Sequence, residues 1–238
     1  MRNVFIDIGA HIGESIEIAT SKKYSFDAIY AVEPSPFCQK YLNKYTDQRI
    51  RIIPFGFGSE NKLTTLFGSG SVGASVFVEK IPYWSVNEKI NIRKFSQWYN
   101  SNITGNDLVW IKLNAEGAEL GIIQELRYIH NRKKIVSILI SFDVEKIPSM
   151  QKERKELIKI LVEELSIPFY ERRKGFEIKE WLDDFYQIKA EINLSIFFQR
   201  MMRLDIPWYR NVRRLIRPLL PYRFWLFLAI KFGPNKKR

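Results

Sequence analysis

Apolar and polar positions along the chain predict a parallel α/β protein. Val4-Phe5-Ile6 are β-formers in an apolar run that Asp7 ends, Asn3 to Ile8 is expected as the first strand, and Val4 to Ser15 reads VFIDIGAHIGES: a buried strand, a glycine turn and, from Glu14, a helical pattern. The first helix is expected over Ile12 to Lys22 and the second strand over Ala28 to Val32. Pro34 and Pro36 bracket a loop and start a helix over Phe37 to Tyr45. Arg49 to Phe55 reads as a third strand that runs into Gly56-Phe57-Gly58. The order to this point is βαβαβ, the first half of a doubly wound sheet.

The rhythm breaks over Lys62 to Val78. Leu63 to Phe67 is strand-like, Gly68 to Gly73 is a glycine-serine loop, and Ala74 to Phe77 follows. That loop reads as a linker, with a substrate-facing segment as the alternative given its place beyond the third strand. Asp107 to Leu113 (DLVWIKL) is a near-continuous apolar run, expected as a central parallel strand followed by a helix to about Ile129. Lys134 to Phe142 is the next central strand. Met150 to Leu165 is an amphipathic helix with Leu157, Ile158, Leu161, Val162 and Leu165 on one stripe. Pro168 to Arg172 and Glu191 to Gln199 read as two closing strands, with a polar excursion containing Trp181 between them.

The first βαβ unit carries the candidate chemistry. Gly9 and Gly13 permit close approach to the backbone of the turn, Ala10 lies between them, and Asp7 at the strand tip can hold an ammonium group or a loop N–H. Glu33 ends the second strand 26 residues after Asp7, the usual place for a carboxylate that takes ribose hydroxyls. A nucleoside-binding unit is therefore predicted, with Gly56 at the tip of the third strand as a further contact. No lysine follows the second glycine, which excludes a phosphate-binding P-loop. A nicotinamide dinucleotide would suit Glu33 equally, but Gly9-Ala10-His11-Ile12-Gly13 lacks a Gly-x-Gly-x-x-Gly run.

With 238 residues, 46% of them hydrophobic and 14% aromatic, the chain can bury a full core, expected as one domain over 1–203 and a tail over 204–238. Cys38 is the single cysteine, which excludes an internal disulfide framework and a multi-cysteine metal site, and it reads as a buried structural thiol. No metal ligands are assigned. The chain opens on a strand and holds no apolar run long enough to span a bilayer, so a cytoplasmic protein is expected. The net charge is +12, and nine of the cations stand between Ile206 and Arg238 with no acidic residue among them, leaving +3 for the first 205 residues. Interleaved with Trp208, Tyr209, Phe224, Trp225 and Phe227, they predict a segment lying on an anionic membrane surface. Docking of the tail on the domain is the alternative. Nucleic acid is disfavoured as a partner because the basic residues are confined to the tail.

Several segments resemble the FkbM type of class I S-adenosylmethionine-dependent methyltransferase: FIDIGAHIGES, AVEPSP, GASVF at 73–77, DLVWIKLNAEGAEL and EINLSIFFQR, together covering roughly residues 3 to 200. The resemblance implies a Rossmann-like sheet of seven strands, mostly parallel with an antiparallel last strand. It also implies S-adenosylmethionine as cofactor and methyl transfer to a hydroxyl of a sugar or glycan. Asp7, Gly9, Ala10, Gly13, Glu33 and Gly56 would then hold the cofactor. The family's fourth strand ends Lys-Ile-Asp-Val-Glu-Gly-Ala-Glu, and here it reads Lys112-Leu113-Asn114-Ala115-Glu116-Gly117-Ala118-Glu119. Asn114 can orient a hydroxyl but cannot take its proton, which makes Glu116 and His11 the candidate bases. A silent relative that binds without turnover and an RNA methyltransferase are the alternatives. Lys112, inside an apolar strand, is expected to meet Glu116 or Asp143. A chain opening on the first strand would leave the substrate side open to a large polymeric acceptor.

Overall fold

In the computed structural model, residues 1–80 and 86–184 are described. The chain divides into a compact unit, Met1–Trp181, and a second, Leu182–Arg238. The expected strand over Glu191 to Gln199, the boundary at 203–204 and the basic tail all lie outside the described residues.

The strands in chain order are β1 (Asn3–Ile8), β2 (Ala28–Val32), β3 (Ile50–Ile53), β4 (Gly56–Gly58), β5 (Lys62–Phe67), β6 (Asn87–Lys94), β7 (Leu108–Leu113), β8 (Ile135–Ile140) and β9 (Phe169–Glu171). The α-helices are α1 (Glu14–Ala19), α2 (Pro36–Leu42), α3 (Phe95–Asn102), α4 (Glu119–Glu125) and α5 (Glu153–Lys159). Six strands form the main sheet in the order β3-β2-β1-β7-β8-β9, and each neighbouring pair is parallel. The strand order reverses between β1 and β7, the point at which open α/β sheets place their ligand crevice. A seventh, antiparallel strand is not among the described residues.

Burial follows from position in this sheet. β2 lies between β1 and β3, and every residue in it is buried, which explains the unbroken run Ala28-Ile29-Tyr30-Ala31-Val32. Along β1, Val4, Ile6 and Ile8 point into the larger core, while Phe5 points to the opposite face and packs against Phe26 and Trp181. Trp181 is fully buried, and its indole N–H donates to Ser137 Oγ on β8 at 3.1 Å. The expected polar excursion thus carries a core anchor.

The break in rhythm after the third strand is a second sheet of three strands in the order β4-β6-β5. β6 and α3 have no counterpart in the sequence reading, although Ile90 and Ile92 alternate with polar neighbours and are the buried positions of β6. α1 starts at Glu14 rather than Ile12 because Gly13 has φ 106 and lies outside the helix, and it ends at Ala19 with Thr20 as its cap. α5 passes into a π-helical turn, Ile160–Glu164. That turn leaves Val162 of the expected apolar stripe exposed while Leu157 and Leu161 are buried.

Candidate functional site

The loop after β1 is tied to the tip of β2. Gly9 and Ala10 both donate backbone N–H bonds to the Val32 carbonyl at 3.0 Å. The next donor goes to a side chain: His11 N–H reaches Glu33 Oε2 at 2.9 Å, and Ser35 N–H reaches Oε1 at 2.8 Å. The carboxylate that ends β2 therefore latches the turn and the start of α2 together. Burial pushes the Glu33 carboxyl above its ordinary range, and the two backbone donors oppose that rise. Each oxygen still has a lone pair to offer, because each accepts one of these bonds.

A cleft opens at the carboxyl ends of β1, β2 and β7, enclosing about 710 Å³ of atom-free space with its mouth included. Of the residues expected at the site, Gly9, His11, Glu33, Gly56, Asn114 and Glu116 line it. Asp7, Ala10 and Gly13 do not.

The reason for Asp7 is internal pairing. Its side chain is fully buried, with Lys112 Nζ at 2.8 Å from Oδ1. Lys112 also donates to the Gly9 carbonyl at 2.6 Å. The pair is a charge contact rather than a well-angled hydrogen bond, since neither Asp7 oxygen meets a donor in good geometry. Asp7 and Lys112 neutralise one another beneath the turn, which corrects both the expected ammonium contact and the expected partners of Lys112. Glu116 pairs instead with Lys80, and Asp143 with Lys146.

The glycines serve the packing of the turn. A Cβ at Gly9 would stand 2.0 Å from the Asn114 carbonyl oxygen, and one at Gly13 would enter the Tyr45 ring, whose hydroxyl donates to the Gly13 carbonyl at 3.0 Å. His11, between them, is held at φ 50, a left-handed conformation that a side-chain-bearing residue adopts under constraint. Its Nδ1 lies 3.2 Å from Glu14 Oε1, and its buried Nε2 has no partner among the described residues.

The far wall comes from the loop after β7. Asn114 N–H donates to the Ile8 carbonyl at 3.0 Å, which joins the tips of β7 and β1. Its side-chain Nδ2 donates to Glu116 Oε1 at 3.3 Å, and Lys80 binds Glu116 Oε2 in a close ion pair. Glu116 is at φ 51 and Gly117 at φ 112. Buried Glu119 accepts N–H bonds from Ala115 and Gly117 at 3.1 Å, and burial, with Asp143 adding to it, pushes its carboxyl up to about 7. Glu119 thus shapes the loop from inside.

The glycine-serine segment forms the third side: Ser71, Val72, Ala74, Ser75 and Val76 line the cleft, so this loop faces the site. It is anchored by Ser75 Oγ, which donates to the Glu116 carbonyl at 2.6 Å, and by Ser69 Oγ, 2.6 Å from Ser35 Oγ at the start of α2. Cys38 also lines the cleft, and burial raises its thiol to about 11, as fits an inert structural cysteine. Cys38 and Lys80 carry no periodic or motif signal in the sequence, because long-range packing alone brings them to the site, while Ser35 and Ser75 stand inside the AVEPSP and GASVF segments with no role assigned to them there. Among the described residues, no lysine or arginine lines the cleft.

Fold and site together define a Rossmann-like α/β protein with a cleft at the switch point of its sheet. No family model matches the chain, and no curated protein matches it. Among solved structures it is similar to a crystal structure of methyltransferase FkbM from Methylobacillus flagellatus KT, with 23% identity and a TM-score of 0.35. The match covers 53% of this chain and 29% of that one, so the chain spans less than a third of that protein's length.

Proposed function

We propose that the protein is a methyltransferase that uses S-adenosylmethionine to methylate a hydroxyl, on a sugar of a glycan or a lipid-linked precursor. The motif resemblance suggests the activity, and one observation carries the choice of cofactor. Glu33 keeps a free lone pair on each carboxylate oxygen at the wall of a cleft without lysine or arginine among its described residues. A ribose diol satisfies such a carboxylate, whereas a phosphate would lie next to it without a cation. S-adenosylmethionine has the ribose and no phosphate, so the residues fit it.

When bound, the cofactor supplies a methyl group whose C–S bond breaks as the C–O bond forms, and the hydroxyl releases a proton. Glu33 would hold the ribose, with Gly9 and Gly56 as walls. Glu116 is committed to Lys80 and Asn114, whereas His11 lines the cleft with Glu14 beside Nδ1 and with Nε2 buried and unpartnered among the described residues. His11 is assigned as the proton acceptor, which requires a turn of its ring to bring Nε2 to the hydroxyl that Asn114 orients.

The protein would work in the cytoplasm, its basic tail on the anionic inner surface of a membrane; among the described residues, no helix is long and apolar enough to cross one. Calorimetry with S-adenosylmethionine, then release of S-adenosylhomocysteine on glycan extracts and on RNA, tests the reading. Binding followed by turnover on glycan alone supports it. Absence of binding removes the cofactor, binding without turnover identifies a silent relative, and turnover on RNA moves the acceptor to nucleic acid. Truncation after Leu204 should abolish binding to anionic vesicles.

A further inference from the structure

The asparagine at the tip of β7 belongs to a chain of three side chains. Lys80 and Glu116 are nearly withdrawn from solvent, with side-chain exposures of 11% and 13%. Lys80 binds one oxygen of the Glu116 carboxylate, and the other faces Asn114 Nδ2. A carboxylate in an ion pair is ionised, and an ionised carboxylate only accepts hydrogen bonds. The atom that Asn114 turns towards Glu116 must then be its NH2 group, and Oδ1 is left for the cleft. Ser75 Oγ donates to the Glu116 backbone carbonyl, which fixes the main chain from which the carboxylate extends.

We propose that Lys80 and Glu116 are positioning residues that lock the Asn114 amide with Oδ1 turned into the cleft, where it accepts the hydrogen of the hydroxyl to be methylated. This rests on the methyltransferase reading for the identity of the hydroxyl, but the lock itself does not. An aspartate in the same place could rotate either equivalent oxygen into the cleft. An asparagine cannot, because its two faces differ, and the lysine–glutamate pair removes the wrong one. Lys80 is electrostatically coupled to Asp143, Lys146 and Glu119 as well, and burial pulls its ammonium below its ordinary value.

The full chain, labelled with 15N-asparagine, tests the lock. The Asn114 side-chain NH2 signals are identified by their loss in Asn114→Asp. In the native protein the Asn114 NH2 proton held by Glu116 should exchange with water at least about tenfold more slowly than that of a free asparagine side chain, and Lys80→Met, which releases the carboxylate, should remove most of that protection. Exchange at the free rate in the native protein, or unchanged protection in Lys80→Met, overturns the lock. Glu116→Gln, which can present an oxygen or an NH2 group to Asn114, should keep the affinity for S-adenosylmethionine within about twofold while methyl transfer to glycan extract falls by about tenfold or more. Unchanged transfer in Glu116→Gln overturns the catalytic half of the proposal. Failure of the native protein to bind S-adenosylmethionine would instead strike the methyltransferase reading and leave the NMR result standing.

Discussion

Gly9 and Asn114 meet so closely that a single added carbon at Gly9 would stand 2.0 Å from the Asn114 carbonyl oxygen. This contact brings the turn after β1 against the turn after β7 and sets the floor of the cleft. Gly9→Ala also needs φ 81, which L side chains disfavour. We expect it to lower stability by ~2–4 kcal/mol in urea titration, with clash and strain combined. Gly73→Ala, with nothing within 4 Å of its Cβ, is the control and should stay within about 0.5 kcal/mol of the native protein. Equal midpoints for the two variants would show that the turns do not touch.

Breaking the pair beneath the turn should cost more than losing an exposed ion pair. Lys112→Met leaves Asp7 buried without its cation, and ~3–5 kcal/mol of stability should go with it. Adding Asp7→Asn to that variant should restore part of the loss, and a double-mutant cycle reads the coupling. A loss below ~1 kcal/mol in the single variant would mean that Asp7 is free to serve a ligand.

Glu33 latches the turn and, under the proposed function, holds a ribose, and the two roles separate experimentally. Glu33→Gln keeps one acceptor for the backbone latch but loses the charge, and Glu33→Ala loses both. Both should weaken S-adenosylmethionine binding by ~1–3 kcal/mol, about 5- to 150-fold. Glu33→Ala should lower the melting temperature most, because His11 and Ser35 both lose their acceptor, and Glu33→Gln less, because one of the two N–H groups keeps its oxygen. Unchanged affinity in both variants removes Glu33 from the site.

Glu119 gives stability a pH dependence of known sign. Its carboxyl is pushed up to about 7 in the folded protein from an ordinary 4.5. Between those values the native state keeps a proton that the unfolded chain has released, so this group's contribution is fully present below about pH 4.5 and is lost as pH rises to about 7. The change amounts to about 3 kcal/mol. Glu119→Gln should flatten that part of the curve, so the stability difference between native and variant protein should change by this amount from pH 5 to pH 8. Parallel curves would contradict it.

Cys38 offers a direct probe of the cleft. With its thiol raised to about 11, alkylation at pH 8 should run roughly two orders of magnitude slower than for a free cysteine. S-adenosylmethionine should slow it further if it occupies the cleft. Alkylation at the rate of a free thiol would show that the wall is open.

The central strands were legible because burial on both faces leaves a one-dimensional trace. Ala28 to Val32 is apolar throughout, and β2 has the bounds its residues predict. Glycine after β1 and an acid after β2 are likewise local signals, and they place Gly9 and Glu33 at the cleft. By contrast, Asn87 to Lys94 is polar or charged at six of its eight positions and hides its two isoleucines, so β6 and the second sheet went unread.

By itself the sequence determined the chain order of the main-sheet strands, the parallel core and the turn that carries Gly9, since each follows from periodicity or from backbone freedom within a few residues. Tertiary structure alone decided which charges are spent. Asp7 is neutralised by a lysine 105 positions away in sequence, Glu116 by Lys80, and the glycine-serine segment is drawn to the cleft through Ser75. Partner choice among charged side chains depends on distance and burial across strands, and no spacing along the chain encodes either.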